Sequence, residues 1–179
     1  MISFNYQLPI GKGRMLGRSM SRLADSLIGG WEVSSILTFS SGYPIIPGLD
    51  SGTLWEGTQR PNYIGDPSTN GKTTDERINA YFNPAAFSRP AADTYGTAAR
   101  TLPNYRTFGI TNGDFTFMKN FVIAEKKSLQ VRAEAFNITN TPSFGRPNSS
   151  FGSNSFGLIS GYASGRGPRE MQLAIKFYY

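Results

Sequence analysis

The last eleven residues of the chain are REMQLAIKFYY (169–179), and from Met171 onward they alternate between two kinds of side chain. Apolar and aromatic residues occupy positions 171, 173, 175, 177 and 179, whereas Gln172, Ala174, Lys176 and Tyr178 lie between them. A period of two places the two sets on opposite faces of a β-strand. The C-terminal strand therefore needs an apolar surrounding on one face, because large apolar and aromatic side chains are seldom left in water together.

The composition favours strands over helices throughout the 179 residues, which suffice for one domain with a sizeable core. Only 17% of the residues are charged, whereas 13% are aromatic, and the chain contains 20 Gly and 11 Pro. Aromatic residues favour strands, and Gly and Pro favour turns. We therefore expect an all-β fold.

The chain contains no His and no Cys. These are the commonest general base, the commonest transition-metal ligands and the thiol nucleophile, so we expect no catalytic residues, no metal site and no cofactor, and hence no enzyme. The net charge of +6 comes from scattered Lys and Arg residues. We interpret it as a mildly basic surface and expect no nucleic-acid partner.

Five segments carry the strand pattern, at about residues 2–8, 30–42, 111–122, 128–139 and 170–179. Between them, periodicity is lost over about residues 43–110 and 141–167, which are rich in Gly, Pro, Ser and Asn. Within these connections we expect a helical turn near TDERINAYF with Thr74 as its N-cap, and a short strand near FGLIS (156–160). Long and short connections alternate, which predicts an antiparallel meander of about five strands with two unlike ends.

Two kinds of all-β protein fit this alternation. A soluble or surface β-sandwich, serving as an adhesion or binding module, also alternates apolar and polar residues. A transmembrane β-barrel additionally places aromatic residues near strand ends and uses strands of about 9–11 residues. Aromatics do lie near the strand ends here. The pattern favours the barrel, and the two alternatives differ in whether the protein needs detergent to stay in solution.

The motifs from Leu129 onward give a specific resemblance. The segment LQVRAEAFNITNTPSFGRPN (129–148) and the terminal GPREMQLAIKFYY are similar to the C-terminal part of Oar-like TonB-dependent outer-membrane receptors, which carry an N-terminal carboxypeptidase-regulatory-like domain. Upstream, LPIGKGR, GGWEVSSILTFSSGYP, RPNYIGDP, YFNPAAF and DFTFMKNF follow in the order found in that family. The resemblance covers essentially the whole chain.

The resemblance implies a C-terminal segment of a large transmembrane β-barrel, with about residues 43–110 and 141–167 as extracellular loops. Five strands cannot close a bacterial barrel, which starts at eight. We therefore expect a fragment whose plug and remaining barrel strands lie upstream. The family imports bulky nutrients such as glycans, peptides or metal chelates. Its partners would be outer-membrane lipid, the TonB complex through an absent N-terminal region, and the barrel-assembly machinery.

Three sets of residues are candidates for function. Arg132 and Glu134 share the polar face of one strand, where we expect them to face the barrel lumen, to pair across strands and to line the plug interface. The terminal aromatics Phe177 and Tyr179 resemble the signal for barrel assembly. Aromatic residues of the long loop could either stack on a ligand or pack within the loop; these are Trp55, Tyr63, Tyr81 and Tyr95.

Overall fold

The computed structural model describes residues 1–69 and 73–179. The strands are β1 (Ile2–Gln7), β2 (Trp31–Ser40), β3 (Pro44–Ile45), β4 (Gly48–Leu49), β5 (Asn62–Tyr63), β6 (Phe87–Ser88), β7 (Leu102–Arg106), β8 (Ile110–Ala124), β9 (Lys127–Phe136), β10 (Ser150–Phe151) and β11 (Glu170–Tyr178). Two short α-helices, α1 (Arg22–Ile28) and α2 (Thr74–Asn79), and one 3₁₀ turn at Pro84–Ala86 complete the elements. The chain divides into two compact units, described in turn below.

The sheet unit consists of residues Met1–Phe39, Thr111–Pro142 and Pro168–Tyr179. Its strands form one five-stranded sheet in the order β1-β2-β8-β9-β11, so strands that follow one another in this sheet's sequence order are also neighbours in space. The pairs β1–β2, β8–β9 and β9–β11 are antiparallel. The expected all-β antiparallel meander of five strands is confirmed.

The register of the sheet sorts its side chains into an apolar face and a polar face. Phe177 pairs with Leu129, which in turn pairs with Phe121, so the three side chains share the apolar face. Lys119 of β8, which lies on this face, contacts the Trp31 ring of β2, so the odd-numbered residues of β2 and their partners on β1 share the face. Its further large residues are Ile2, Phe4, Tyr6, Val33, Leu37, Phe115, Phe117, Met171, Leu173 and Ile175. The polar face carries Asn5, Ser34, Asn120, Gln130, Arg132, Glu134, Gln172 and Lys176.

The apolar face stays exposed. Leu173 has 83% of its surface accessible, and large residues of β1, β8 and β11 on this face are accessible as well. A sandwich would cover such a face with a second sheet about 10 Å away, and the described residues of the sheet unit contain one sheet only. The surrounding that this face requires is therefore an apolar solvent. No helix within residues 1–69 and 73–179 has the length and hydropathy needed to cross a bilayer.

The loop unit consists of Ser40–Ile110 and Ser143–Gly167 and has a hydrophobic core of its own. Seven buried residues form it, namely Ile45, Tyr81, Phe82, Ala86, Phe87, Leu102 and Ile159. Aromatic rings dominate, and Phe82 stacks on Phe156 with ring centroids 5.1 Å apart. Three two-stranded pairs, β3–β7, β4–β10 and β5–β6, supply backbone hydrogen bonds. The two long connections thus fold together, because their scattered aromatics can be buried only against each other.

Two local expectations within the loop unit are wrong. Thr73, not Thr74, is the N-cap of α2, since only Thr73 lies three residues before Glu76 and can form a reciprocal capping box with it. Residues 156–160 form no strand: residues 156 and 157 lie in a turn and residues 158–160 are irregular, because Gly157 adopts a φ of 81°, which interrupts an extended backbone. A short strand does occur in that connection, at Ser150–Phe151.

Candidate functional site

The polar face of the sheet carries a hydrogen-bonded network across its last three strands. The Glu134 carboxylate accepts hydrogen bonds from Arg132 of the same strand and from Gln172 of β11. Gln130 donates to the Asn120 side chain of β8 at 3.0 Å. Side chains along a strand point alternately to the two faces of the sheet, so every second residue lies on this face. Its polar groups can therefore form hydrogen bonds with the residues paired to them on neighbouring strands.

Arg132 and Glu134 do form an ion pair, but along β9 and not across strands as expected. The register explains this, because the residue opposite Arg132 on β11 is Ala174 and the one on β8 is Met118. Neither can receive the guanidinium, so Arg132 turns to the carboxylate two residues along. The cross-strand partner of Glu134 is the amide of Gln172, which the sequence analysis did not identify.

The C-terminal aromatics lie together at the end of β11. Phe177 and Tyr179 stack with ring centroids 6.2 Å apart and an interplanar angle of 22°. Both are exposed on the apolar face. They are thus accessible to a partner or to lipid, and their role as an assembly signal stays a prediction.

The four aromatic residues of the long loop have different environments. Tyr81 is 2% exposed, and its hydroxyl donates to the carbonyl of Arg106 at 2.5 Å, so it packs within the loop unit as the second alternative expected. Tyr63 contacts the Phe87 ring and is partly exposed. Trp55 is 98% exposed and Tyr95 is exposed as well. Only Trp55, Tyr63 and Tyr95 are therefore accessible to a ligand.

A cavity of about 280 Å³ in the loop unit brings together a different set of residues. Its lining includes Tyr43, Phe108, Phe144, Arg146, Tyr162 and Ser164. Phe144 lies against both neighbours, with its ring centroid 5.3 Å from that of Phe108 and 5.8 Å from that of Tyr162. The Phe108 ring also contacts Tyr81 of the loop core. The aromatic wall of this loop cavity is thus fixed from behind by the core.

Three polar side chains of the loop cavity form no hydrogen bond or ion pair within the described residues, whereas the Thr107 hydroxyl accepts the backbone N–H of Tyr43 at 2.8 Å. The Arg146 guanidinium lies 5.0 Å from the Tyr43 ring centroid, a cation–π contact, and forms no ion pair within the described part of the chain. The Tyr162 and Ser164 hydroxyls likewise have no hydrogen-bond partner among the described residues. An unpaired guanidinium can bind a carboxylate or phosphate bidentately. The cavity can therefore bind an anionic group beside an apolar ring face.

Two carboxylates and one phenol of the loop unit have shifted pKa values. The hydrogen bond from Arg89 lowers the pKa of Asp50, and hydrogen bonds from the backbone and side chain of Ser68 lower the pKa of Asp66. Burial raises the pKa of Tyr105, whose hydroxyl accepts from the backbone N–H of Thr69 at 3.2 Å. These groups stabilise loop conformation and do not line the loop cavity.

Sequence reasoning missed the residues of the loop cavity. Tyr43, Arg146 and Tyr162 come from three separate stretches, and no period or motif links them. The one available signal was that Arg146 lies two residues after Phe144 in SFGRP (143–147), a spacing too common to indicate a site.

Comparison with known protein families agrees with the geometry of the sheet. Residues 1–172 match the family model of the outer membrane beta barrel domain. Neither the curated proteins nor the solved structures contain a significant match to the chain. The exposed apolar face, the polar opposite face and the antiparallel meander are those of a barrel wall between lipid and lumen. The chain therefore belongs to the outer membrane β-barrel domain family and is a protein of the bacterial outer membrane.

Proposed function

We propose that this chain is part of a TonB-dependent import receptor of the Oar-like type, which takes up a bulky nutrient such as a glycan, a peptide or a metal chelate. The observation that supports the proposal most is the loop unit. A passive pore needs only an open lumen, whereas a receptor needs a shaped surface that captures its ligand first. Here two long connections fold around an aromatic core and leave an aromatic cavity whose arginine, Arg146, forms no ion pair among the described residues.

The sheet supports a larger assembly. It has β1 and β11 as edge strands, and five strands are fewer than the eight of the smallest bacterial barrels. Unpaired strand edges are not tolerated in lipid, because their N–H and C=O groups would have no partners. We therefore propose that further barrel strands pair with both edges. A plug would lie against the polar face, where Arg132, Glu134 and Gln172 are available to contact it.

The remaining partners follow from the same proposal. A TonB complex would act on the N-terminal region of the full receptor, and the barrel-assembly machinery would recognise the strand ending in Phe177 and Tyr179. The chain itself would have no catalytic activity, which its lack of His and Cys supports. At about 280 Å³ the loop cavity suits one sugar ring or one side chain of a ligand, not a whole bulky nutrient.

Uptake measurements in the source bacterium test the proposal. Cells are supplied with labelled glycan, peptide or chelated-metal mixtures, and uptake is compared between wild type, a gene deletion and a strain without TonB. We expect one class of nutrient to be lost equally in both mutants. Uptake that is lost in the deletion but persists without TonB would identify a passive pore and contradict the proposal.

A double substitution tests whether the loop cavity captures the ligand. Replacing Arg146 and Tyr162 together by Ala should raise the KM for uptake at least about tenfold, since a charge-assisted hydrogen bond and a stacking surface are lost. Arg100→Ala is the matched control, because Arg100 is an exposed loop arginine that does not line the cavity. Equal effects of the two changes would exclude the cavity as the capture site.

A further inference from the structure

The connection between β1 and β2, residues 8–30, is unusually basic for a turn of a membrane barrel. It contains the four cations Lys12, Arg14, Arg18 and Arg22 against one carboxylate, Asp25. The Asp25 carboxylate already accepts a hydrogen bond from the backbone N–H of Lys12 at 2.6 Å. The side chains of Lys12, Arg18 and Arg22 form no ion pair or hydrogen bond within the described parts of the chain. Three cations of this turn segment are therefore free.

Helix α1 of the turn segment lies on the apolar face of the sheet. Lys119 projects from β8 on the same face as Phe117 and Phe121, and its amine donates to the carbonyls of Asp25, at 3.3 Å, and of Gly29. Trp31, on the same face of β2 as Val33, donates its indole N–H to the carbonyl of Leu27 at 3.1 Å. Two side chains of the lipid-facing surface thus hold the C-terminal end of α1.

The contact with α1 explains how a lysine can occupy the apolar face of the sheet. Lys119 is 4% exposed although it lies in a row of apolar residues. An unpaired ammonium facing lipid would be costly. The Asp25 carbonyl also accepts the backbone N–H of Gly29 at 2.9 Å, whereas the Gly29 carbonyl lies just past the helix. Carbonyls at the C-terminal end of a helix carry partial negative charge, so both can share the charge of Lys119. The helix end therefore covers a cation that the strand otherwise presents to lipid.

The outer side of α1 is apolar and exposed. Leu23 is 80% and Leu27 is 68% exposed, and they lie one turn apart on the same side of the helix. Met15, Leu16 and Ile28 of the same segment are exposed as well. Exposed leucines next to free Lys and Arg are typical of segments that lie in a membrane interface.

We propose that the turn segment binds the anionic phospholipid surface, with Leu23 and Leu27 inserted below the headgroups and Lys12, Arg18 and Arg22 at the phosphates. Charge complementarity supports this occupant, because three free cations face no acidic partner within the described chain. Continuity supports it as well, because α1 lies on the same face of the sheet as the lipid-exposed strands. The segment would anchor the barrel rim at the end opposite the long connections. The proposal rests on membership of the outer-membrane family and not on the import function.

Depth-dependent quenching tests the apolar half of the proposal, on the complete barrel that contains this chain, reconstituted in proteoliposomes. The chain has no Cys, so Leu23→Cys and Leu27→Cys each give a single site for an environment-sensitive fluorophore. Glu125→Cys, in the polar turn between β8 and β9, is the matched control at the same end of the sheet. We expect lipids brominated on the acyl chain to quench the labels at 23 and 27 strongly and the label at 125 weakly. Equal weak quenching at all three sites would overturn the proposal.

The anionic half is tested with two brominated lipids in the same vesicles. Brominated phosphatidylglycerol should quench the label at Leu27→Cys better than brominated phosphatidylcholine, with each cation contributing up to about fivefold in relative binding. Adding Arg18→Gln and Arg22→Gln should bring the ratio of quenching by phosphatidylglycerol to quenching by phosphatidylcholine towards one. Comparison within one preparation cancels differences in insertion, and circular dichroism verifies that each variant is folded. A ratio of one in the parent protein would contradict recognition of anionic headgroups.

Discussion

At the scale of single residues, Asn137 holds the turn that follows β9. It adopts a φ of 50°, in the left-handed region, and is buried. Its side-chain oxygen accepts from the backbone N–H of Thr141 at 3.0 Å and from the Thr139 hydroxyl at 3.2 Å. Its own N–H donates to Asp114 at 2.9 Å. One residue thus combines a backbone conformation that Asn tolerates with the hydrogen bonds that close the turn.

Two substitutions separate these contributions. Asn137→Gly keeps the left-handed conformation and loses the side-chain bonds, so we expect it to lower the free energy of unfolding by about 1–2 kcal/mol. Asn137→Ala also opposes the positive φ and should cost about 1 kcal/mol more. Urea titration of each variant in lipid vesicles, followed by tryptophan fluorescence, gives the difference. Equal losses would show that the backbone conformation contributes nothing.

A second residue-scale prediction concerns acid. The hydrogen bond from Arg89 holds the pKa of Asp50 below its usual value of 3.8, and Ser68 does the same for Asp66. Because the pKa in the folded state is lowered, the stabilisation is fully present above about pH 3.8 and is lost as the pH falls through the lowered values. We therefore expect the unfolding temperature of the loop unit to decrease once the pH is lowered below about 3.8. Near-ultraviolet circular dichroism measures this temperature. Asp50→Asn should reduce this dependence on pH.

At the scale of elements, the strands could be predicted from the sequence because each one separates two solvents. The segment predicted over 30–42 forms Trp31–Ser40, and the one predicted over 170–179 forms Glu170–Tyr178. The alternation imposed by lipid on one side and lumen on the other leaves a period that needs no tertiary information. The packing of α1 against the sheet leaves no such pattern in the sequence. It depends on the contact of Gly29 with Lys119, which lies 90 residues further along the chain.

The candidate site was less predictable than the strands for the same reason. Alternation predicts which face of the sheet Arg132 and Glu134 occupy. Their hydrogen-bond partners depend on the strand register, which puts Ala174 and Met118 opposite Arg132. Tyr81 could be named as a loop aromatic, but its burial depends on Tyr105 and Phe108 more than twenty positions away. Contacts of that range in loops rich in Gly and Pro leave no local pattern.

The two faces of β11 give the element-scale prediction. Leu173 is 83% exposed, so in water Leu173→Arg would change the free energy of unfolding by no more than about 0.5 kcal/mol. Facing lipid, the same change should cost about 2–4 kcal/mol. Gln172→Arg is the control, because it places the same cation one residue away on the polar face, where Glu134 accepts it. Urea unfolding in vesicles measures both, and a neutral effect of Leu173→Arg would refute the assignment of this face to lipid.

At the scale of the whole molecule, the hydrophobic residues of the two units are distributed differently. In the described residues, every hydrophobic side chain of the buried core lies in the loop unit, whereas the sheet unit displays its large apolar residues outward. A soluble protein gains stability by hiding apolar surface inside, and a membrane barrel reverses this where lipid is the neighbour. The loop unit buries its apolar core, which is the distribution expected of a part of the chain that stays in water. Each half of the chain thus has the side-chain distribution that its own solvent requires.

This division predicts opposite accessibility for the two ends of the sheet. The long connections of a bacterial barrel lie outside the cell and the short turns lie in the periplasm. A cysteine replacing Trp55, which is 98% exposed in the long connection after β2, should react with a membrane-impermeant maleimide on intact cells that produce the protein in their outer membrane. A cysteine replacing Glu125, in the turn between β8 and β9, should react only after the outer membrane is permeabilised. The 179 residues contain no other thiol, and labelling of the protein without either Cys substitution gives the background to subtract. Labelling of Glu125→Cys but not Trp55→Cys on intact cells would reverse the orientation and place the loop cavity on the periplasmic side, where it could not capture an external nutrient.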